Sequence, residues 1–337
     1  MIRVSIIGAS GYTGAELAAL VHNHPQFQIA GLYVSENSSD AYKPFSSIHG
    51  QFAYQIDRTL IPVGEAQIGK ICAESDALFL CTPHSASVEW VAQALHHGSK
   101  VFDLSGAYRL SDLSVIKQYY GFEHRYPELL QQAVYGLAEW NFDDIRQSDL
   151  ISVPGCYPTA SLMALKPLQM ANLIDSSVLP IINATSGVSG AGRRASLTSS
   201  FCEVSLNPYG VLGHRHQPEI AEHLAHPVIF TPHLGNFKRG ILATITSKLK
   251  EGTTEAIVDK AFNDAYEGKS LVRLRQNWPS VQDVAATPFV DLHWQLDKET
   301  GYLVVVSAID NLLKGAAAQA MQCANLRFGF ASNKGLI

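Results

Sequence analysis

Short aliphatic runs and helix-spaced apolar residues alternate through the opening part of the chain. Arg3 to Ile7 and Gln28 to Val34 have the length and β-branched content of strands, and between them Leu17, Leu20 and Val21 share one face of a helix running from Gly14 to His24. This is a βαβ unit. The rhythm returns with DALFLC (Asp76 to Cys81), the helical SVEWVAQALHHG ending on Gly98, and KVFDL (Lys100 to Leu104). Strands that alternate with helices predict a parallel, doubly wound α/β sheet. A less regular stretch, Ser105 to Asp149, then leads into the strand LISV.

Beyond Pro154 the spacing changes. A helix from Pro158 to Asn172 precedes the strand VLPIINA and a Gly/Ser loop. The later runs GILATITSKL, FVDLHWQLD and YLVVVSAID are longer and alternate patchily with period two, while TTEAIVDKAFNDAYE has helical spacing. A mixed sheet in a second, α+β domain is expected. The alanine-rich segment Asn311 to Phe328 favours helix and is expected to return to the first domain. The predicted division is 1–153 plus 311–337 for the doubly wound domain and 154–310 for the second.

Composition narrows the class. With 337 residues, 47% of them hydrophobic and 16% charged, the chain is an ordinary globular protein large enough for two cores. A net charge of -5 without any basic cluster argues against nucleic acid as a partner. No apolar run approaches the ~20 residues of a bilayer span, and MIRVSIIGASG breaks into glycines, so it reads as a strand rather than a signal peptide. Cys72, Cys81, Cys156, Cys202 and Cys323 are widely spaced with no C-x-x-C pair, which predicts free thiols in a cytoplasmic protein.

The first strand runs directly into Gly8-Ala9-Ser10-Gly11-Tyr12-Thr13-Gly14, a G-x-x-G-x-x-G loop that opens a helix. Glycines there let the backbone turn tightly and approach a pyrophosphate, which the N–H groups at the helix N-terminus hold. A glycine turn that only packs helix on strand is the competing reading. Its place between strand and helix favours a Rossmann-type dinucleotide site. An acidic residue ~20 residues after the loop is the usual ribose partner of NAD. Here the stretch is Val34-Ser35-Glu36-Asn37-Ser38-Ser39, whose serine hydroxyls, Ser35 first, suit a 2′-phosphate, whereas Glu36 turned inward would repel it. NADP is preferred.

Ser152 to Ala160, SVPGCYPTA, carries the candidate nucleophile. Cys156 follows a Pro-Gly turn and precedes Pro158, a residue suited to the first turn of a helix because its missing N–H would have no partner there. A free thiol is only ~3% thiolate at pH 7. Amides at a helix N-terminus lower its pKa and can hold a developing oxyanion. The other four cysteines lie in apolar or helical surroundings and read as small buried hydrophobes. His214-Arg215-His216 offers a base. If the segment is extended, both imidazoles face one side and Arg215 the other, with a helix beginning near Gln217-Pro218-Glu219. H-x-H is also a metal motif, but no third and fourth ligands are suitably spaced, so no metal is expected. Two surface histidines are the plain alternative.

GASGYTG, PGCYPTA, SGVSGAGR (Ser186 to Arg193), HRHQPEI and DNLLKGAAAQA (Asp310 to Ala320), in that order and over nearly the full length, resemble the N-acetyl-gamma-glutamyl-phosphate reductase family, related in fold to aspartate-semialdehyde dehydrogenase. The resemblance implies an NADP-dependent acyl-phosphate reductase of arginine biosynthesis. It would form N-acetyl-glutamate 5-semialdehyde from N-acetyl-gamma-glutamyl phosphate through a cysteine thioester. It implies Cys156 as nucleophile and His216 or His214 as acid/base, with His216 favoured as nearer the helix start. Thr82, Pro83 and Asn311 would join the glycine loop at the cofactor. Arg109 in DLSGAYRL, with Ser186, Gly187 and Arg193, would meet substrate and phosphate. Val153 stands where asparagine is frequent and Gly106-Ala107-Tyr108 replaces an Ala-Asp-Phe, so no side-chain role carries over at those positions.

Aspartyl phosphate or a carrier-linked aminoadipyl phosphate would use the same machinery. A nucleotide-sensing Rossmann regulator with a structural Cys156 is the alternative of another class, and a zinc hydrolase built on H-x-H is a third. A homodimer or homotetramer is expected, with no membrane partner.

Overall fold

The computed structural model describes all 337 residues, Met1 to Ile337. The chain divides into two compact units, Met1–Gly155 with Ala316–Ile337, and Cys156–Gly315.

In the first unit β1 (Ile2–Ile7), β2 (Phe27–Ser35), β3 (Ile61–Val63), β4 (Ala77–Leu80), β5 (Lys100–Asp103), β6 (Val134–Tyr135) and β7 (Leu150–Ser152) form one sheet, ordered β3-β2-β1-β4-β5-β7-β6. Every neighbouring pair is parallel. The order steps outward from β1 to β3 and resumes on the other side with β4, which leaves a switch point between β1 and β4 where such sheets bind ligands. Strands covered on both faces need no polar alternation. Thus β4 is buried at every position, and Phe79 stacks on Phe102 of β5 at 5.0 Å.

The irregular stretch Ser105 to Asp149 resolves into β6 and three helices, Leu113–Tyr120, Pro127–Gln132 and Phe142–Gln147, each too short to display a clear period. The helix expected over Asn311 to Phe328 is not uniform. Leu313–Ala317 is a π-helical turn, and only Ala318–Arg327 is α-helical. That α-helix lies in the first unit, packed on the helices Tyr12–Asn23 and Phe142–Gln147.

In the second unit β8 (Ile181–Gly187), β9 (Asn207–Pro208), β10 (Ile229–Gly235), β11 (Ile241–Lys248), β12 (Val272–Leu274), β13 (Val290–Leu296) and β14 (Tyr302–Ile309) form a mixed sheet, ordered β12-β13-β14-β11-β8-β10-β9. The pairs β8–β10 and β12–β13 are parallel, and the others are antiparallel. On β11 the buried residues Ile241, Ala243, Ile245 and Ser247 alternate with more exposed ones, and the helix Cys156–Met170 packs against this strand and β14. That helix is buried along most of its length and contains Pro167. Proline has no N–H to offer the carbonyl four residues earlier. The Tyr266 hydroxyl donates to that carbonyl, on Met163, in its place. No helix is long and apolar enough to cross a membrane.

Phe79 is fully buried at the centre of the parallel sheet. Phe79→Ala should therefore destabilise the first unit by about 3–5 kcal/mol, read as a lower urea midpoint by circular dichroism. An unchanged midpoint would contradict the packing described.

Candidate active site

The switch point opens into a cleft of about 640 Å³, lined by Gly8, Ser10 and Gly11, by Val34 to Ser38, by Val63 to Glu65, and by Cys81, Thr82, Pro83, Ala86 and Trp90. Gly8 has φ +86°, and a side chain there would collide with the Cys81 carbonyl, so the loop can pass this close to β4 only as glycine. The helix Tyr12–Asn23 starts from Gly11 with no side-chain cap and no acidic residue in its first turn. Its leading amides are thus available to an anionic group. Tyr12 and Thr13 stand in that first turn, with Gly14 buried behind it. His49 Nε2 donates to the Ser10 carbonyl at 3.0 Å and steadies the loop. A dinucleotide pyrophosphate fits this cradle.

Ser35, Asn37 and Ser38 line one part of the cleft, and so does Glu36, whose carboxylate lies against Gly64. Thr82 Oγ1 shares a 2.7 Å hydrogen bond with Ser87 Oγ. Burial pushes the Cys81 thiol up, which keeps it protonated. Arg109 is buried in the same unit, with Nε donating to the Val153 carbonyl at 2.8 Å and Nη2 to the Leu104 carbonyl at 2.7 Å. It ties the chain leaving β5 to the chain leaving β7.

In the second unit Cys156 is half-buried and is the first residue of its helix, two positions ahead of the start expected at Pro158. The next residue, Tyr157, is buried. Its ring lies 5.9 Å from the rings of both His214 and His216 and 5.3 Å from Phe230. Its hydroxyl donates to the His233 carbonyl at 3.0 Å and accepts from the Tyr209 hydroxyl at 3.1 Å. Burial raises the pKa of both phenols, so they stay neutral.

The histidine segment is not extended, so the condition for placing both imidazoles on one side of a strand is not met. Arg215 is helical (φ −57°, ψ −20°), and the helix His216–Leu224 begins at His216 itself. The reason is local: His214 Nδ1 accepts the His216 amide at 3.1 Å, so the imidazole satisfies a helix-start donor. The turn still brings the two rings to 4.8 Å. An Nδ1 that accepts a backbone N–H places the proton of His214 on Nε2. Burial, with Arg215 next to it, pushes the His214 pKa down to about 4. His216 Nε2 faces Glu219 Oε2 at 4.0 Å, and Glu219 is fully buried. No group of three or more metal-ligating side chains gathers here.

Ser186 is buried at the end of β8, its Oγ donating to the Gly187 carbonyl at 3.0 Å. Gly187 N donates to the Gly240 carbonyl at 2.9 Å and Ser189 N to the Lys238 carbonyl at 3.1 Å, while Arg193 is exposed. Asn311 is buried in the second unit, accepting from Gly240 N at 2.6 Å and donating to Ser189 Oγ at 3.0 Å. It braces this turn and is not among the lining residues of the cleft. Sequence reasoning missed Glu219, Tyr209 and the cleft residues Val63 to Glu65. Only Glu219 leaves a signal, its i+3 spacing from His216.

Residues 3–148 match the sequence model of the semialdehyde dehydrogenase NAD binding domain, and residues 156–311 that of the semialdehyde dehydrogenase dimerisation domain. The N-acetyl-gamma-glutamyl-phosphate reductase of Pseudoalteromonas atlantica is 59% identical over 337 residues, covering 100% of this chain and 98% of that protein. The reductase of the same name from Aeromonas salmonicida is 57% identical, covering 100% of both. Among solved structures, aspartate semialdehyde dehydrogenase II of Vibrio cholerae superposes with a TM-score of 0.72 at 18% identity over 98% of each chain. The Candida albicans aspartate semialdehyde dehydrogenase with NADP gives 0.69 at 14% identity over 99% of each chain. At such identities these two show the shared fold. The chain therefore belongs to the N-acetyl-gamma-glutamyl-phosphate reductase family, oxidoreductases within the semialdehyde dehydrogenase group.

Proposed function

We propose that the chain reduces N-acetyl-gamma-glutamyl phosphate to N-acetyl-glutamate 5-semialdehyde with release of phosphate, using NADPH, as a step of arginine biosynthesis. The observation that carries this reading is Cys156 at the first turn of a buried helix, next to a tyrosine packed on two histidines. Full-length relatives bearing that reductase name supply the choice of acyl phosphate.

His216 is assigned as the acid/base. His214 is committed to the His216 amide and is neutral above about pH 4, so at working pH it has no imidazolium proton to give. The buried Glu219 carboxylate beside His216 favours the imidazolium that forms when His216 takes the thiol proton. The thiolate then adds to the acyl carbon, and amides of the helix start hold the oxyanion. Phosphate departs and takes a proton from solvent, leaving a thioester on Cys156. Held by Gly8, Ser10 and Gly11 in the cleft, NADPH would supply the hydride that reduces the thioester. His216 returns its proton as the aldehyde leaves and the thiol is restored.

For the cofactor, Gly8, Ser10, Gly11 and the amides at the start of the helix Tyr12–Asn23 are assigned to the pyrophosphate, and Ser35 with its neighbours Asn37 and Ser38 to the 2′-phosphate. Thr82 and Pro83 form another wall of the same cleft. Arg109, Ser186, Gly187 and Arg193 are the assigned contacts of substrate and phosphate. The match to a dimerisation domain over residues 156–311 supports a homodimer or homotetramer.

The purified protein given NADP, phosphate and N-acetyl-glutamate semialdehyde should form NADPH, and aspartate semialdehyde should be a poor replacement; equal rates would overturn the substrate assignment. Cys156→Ala should lower turnover by at least about 10⁴-fold, and residual turnover near wild type would remove the thioester route.

His214 gives a pH signature. Its pKa falls from 6.5 in the unfolded chain to about 4 in the fold. Its contribution to stability is complete above about pH 6.5 and is lost as pH falls toward 4, because the unfolded chain binds a proton there that the fold refuses. Thermal melts across that range should decline less steeply for His214→Gln than for wild type. Parallel slopes would contradict the buried neutral imidazole.

A further inference from the structure

We propose that Gly315 and the buried Asp310 are positioning residues that set where the Cys156 thiol points, through one π-helical turn built against the nucleophile. The proposal rests on Cys156 being the nucleophile, and its three residues, Cys156, Asp310 and Gly315, all lie in the second unit. Gly315 N donates to the Asp310 carbonyl at 2.9 Å, a five-residue step wider than that of an α-helix. Gly315 thereby lies on Cys156. A Cβ built on Gly315 would stand 2.7 Å from Cys156 Cβ and 3.2 Å from its Cα, distances at which something must shift. The Gly315 backbone is the wall against which the thiol-bearing carbon rests, and any side chain there displaces it.

The turn is anchored by one carboxylate. Asp310 is fully buried. Its Oδ1 accepts from Leu312 N at 2.8 Å and Leu313 N at 2.9 Å. Its Oδ2 accepts from Ala286 N at 2.6 Å and from Arg239 Nε. Asn311 fixes the following position by accepting from Gly240 N at 2.6 Å. Two of these donors come from the turn and two from other parts of the chain, so the carboxylate ties the start of the turn to the loop before β11 and to the segment before β13. A buried carboxylate is strongly unfavourable unless its lone pairs are met, and here four donors meet them. Gly315 is the point at which this anchored turn touches Cys156. A displacement of about 1 Å at the nucleophile is enough to cost about 10²-fold in a positioned reaction.

The test reads the thiol itself, without substrate or cofactor. Iodoacetamide labelling of the full-length protein is followed by peptide mass spectrometry from pH 5 to 9, with the exposed Cys202 as internal reference. Wild type, Gly315→Ala and Asp310→Asn are compared, and thermal melts report folding. In wild type, Cys156 should react faster than Cys202 below pH 8. In each variant that melts cooperatively, the Cys156 to Cys202 rate ratio should fall by about tenfold or more, and the pH midpoint of Cys156 labelling should rise. A variant that does not fold is decided by the other. A folded variant with the wild-type ratio and midpoint would overturn the positioning role while leaving the nucleophile assignment intact. A wild-type Cys156 no faster than Cys202 would overturn both, since no activated thiol would remain to be positioned.

Discussion

A helix leaves its first amides without carbonyl partners, and when the helix is buried those amides are met by whatever the fold brings to that end. The second unit is organised around this constraint. The helix Cys156–Met170 lies on β11 and β14, buried along most of its length, and its half-exposed first residue is the cysteine. A thiolate in that position can accept hydrogen bonds from the same amides that would otherwise call for water or a cap. The histidine turn, the two tyrosines and the Asp310 turn are all arranged near that end of the helix. The apolar sheet below makes the arrangement rigid by leaving the helix nowhere else to go.

The two histidines divide their labour through hydrogen bonding. His214 accepts a backbone amide and is held neutral by burial. His216, which supplies that amide, has a buried carboxylate within 4.0 Å of its ring. The first thus acts as structure, fixing the helix start and its own tautomer. The second instead has its Nε2 beside the buried Glu219 carboxyl. Two residues of one type acquire different surroundings because one imidazole nitrogen is already spent on the backbone.

Much of this was legible in the chain. Runs such as ALFL in β4 announce strands covered on both faces, and the glycine loop between a strand and a helix announces the cleft at the switch point. The longer alternating runs gave the mixed sheet of the second unit. What stayed hidden depends on partners distant in sequence. The two-residue strands β6 and β9 exist only through their neighbours, and the helices between Leu113 and Gln147 are too short for periodicity to show. Arg215 became helical because His214 caps His216, a choice that spacing alone does not reveal. Alanine content correctly favours helix after Asn311, but the Asp310 carboxylate accompanies a π-turn rather than an α-turn at its start. Gly315 reads as an ordinary helix glycine until Cys156 is seen against it.

The proline inside the helix Cys156–Met170 carries a different kind of implication. Pro167 withholds an amide from the Met163 carbonyl, and Tyr266, about a hundred residues away in sequence, meets it with a hydroxyl. The two residues form a bond of mutual dependence. An amide-bearing residue at 167 would compete with the tyrosine for the same carbonyl, and a phenylalanine at 266 would leave that oxygen bare in the core beside a proline. A change at either site therefore alters what the Met163 carbonyl is left with, and the helix and the distant tyrosine hold one another to a single arrangement.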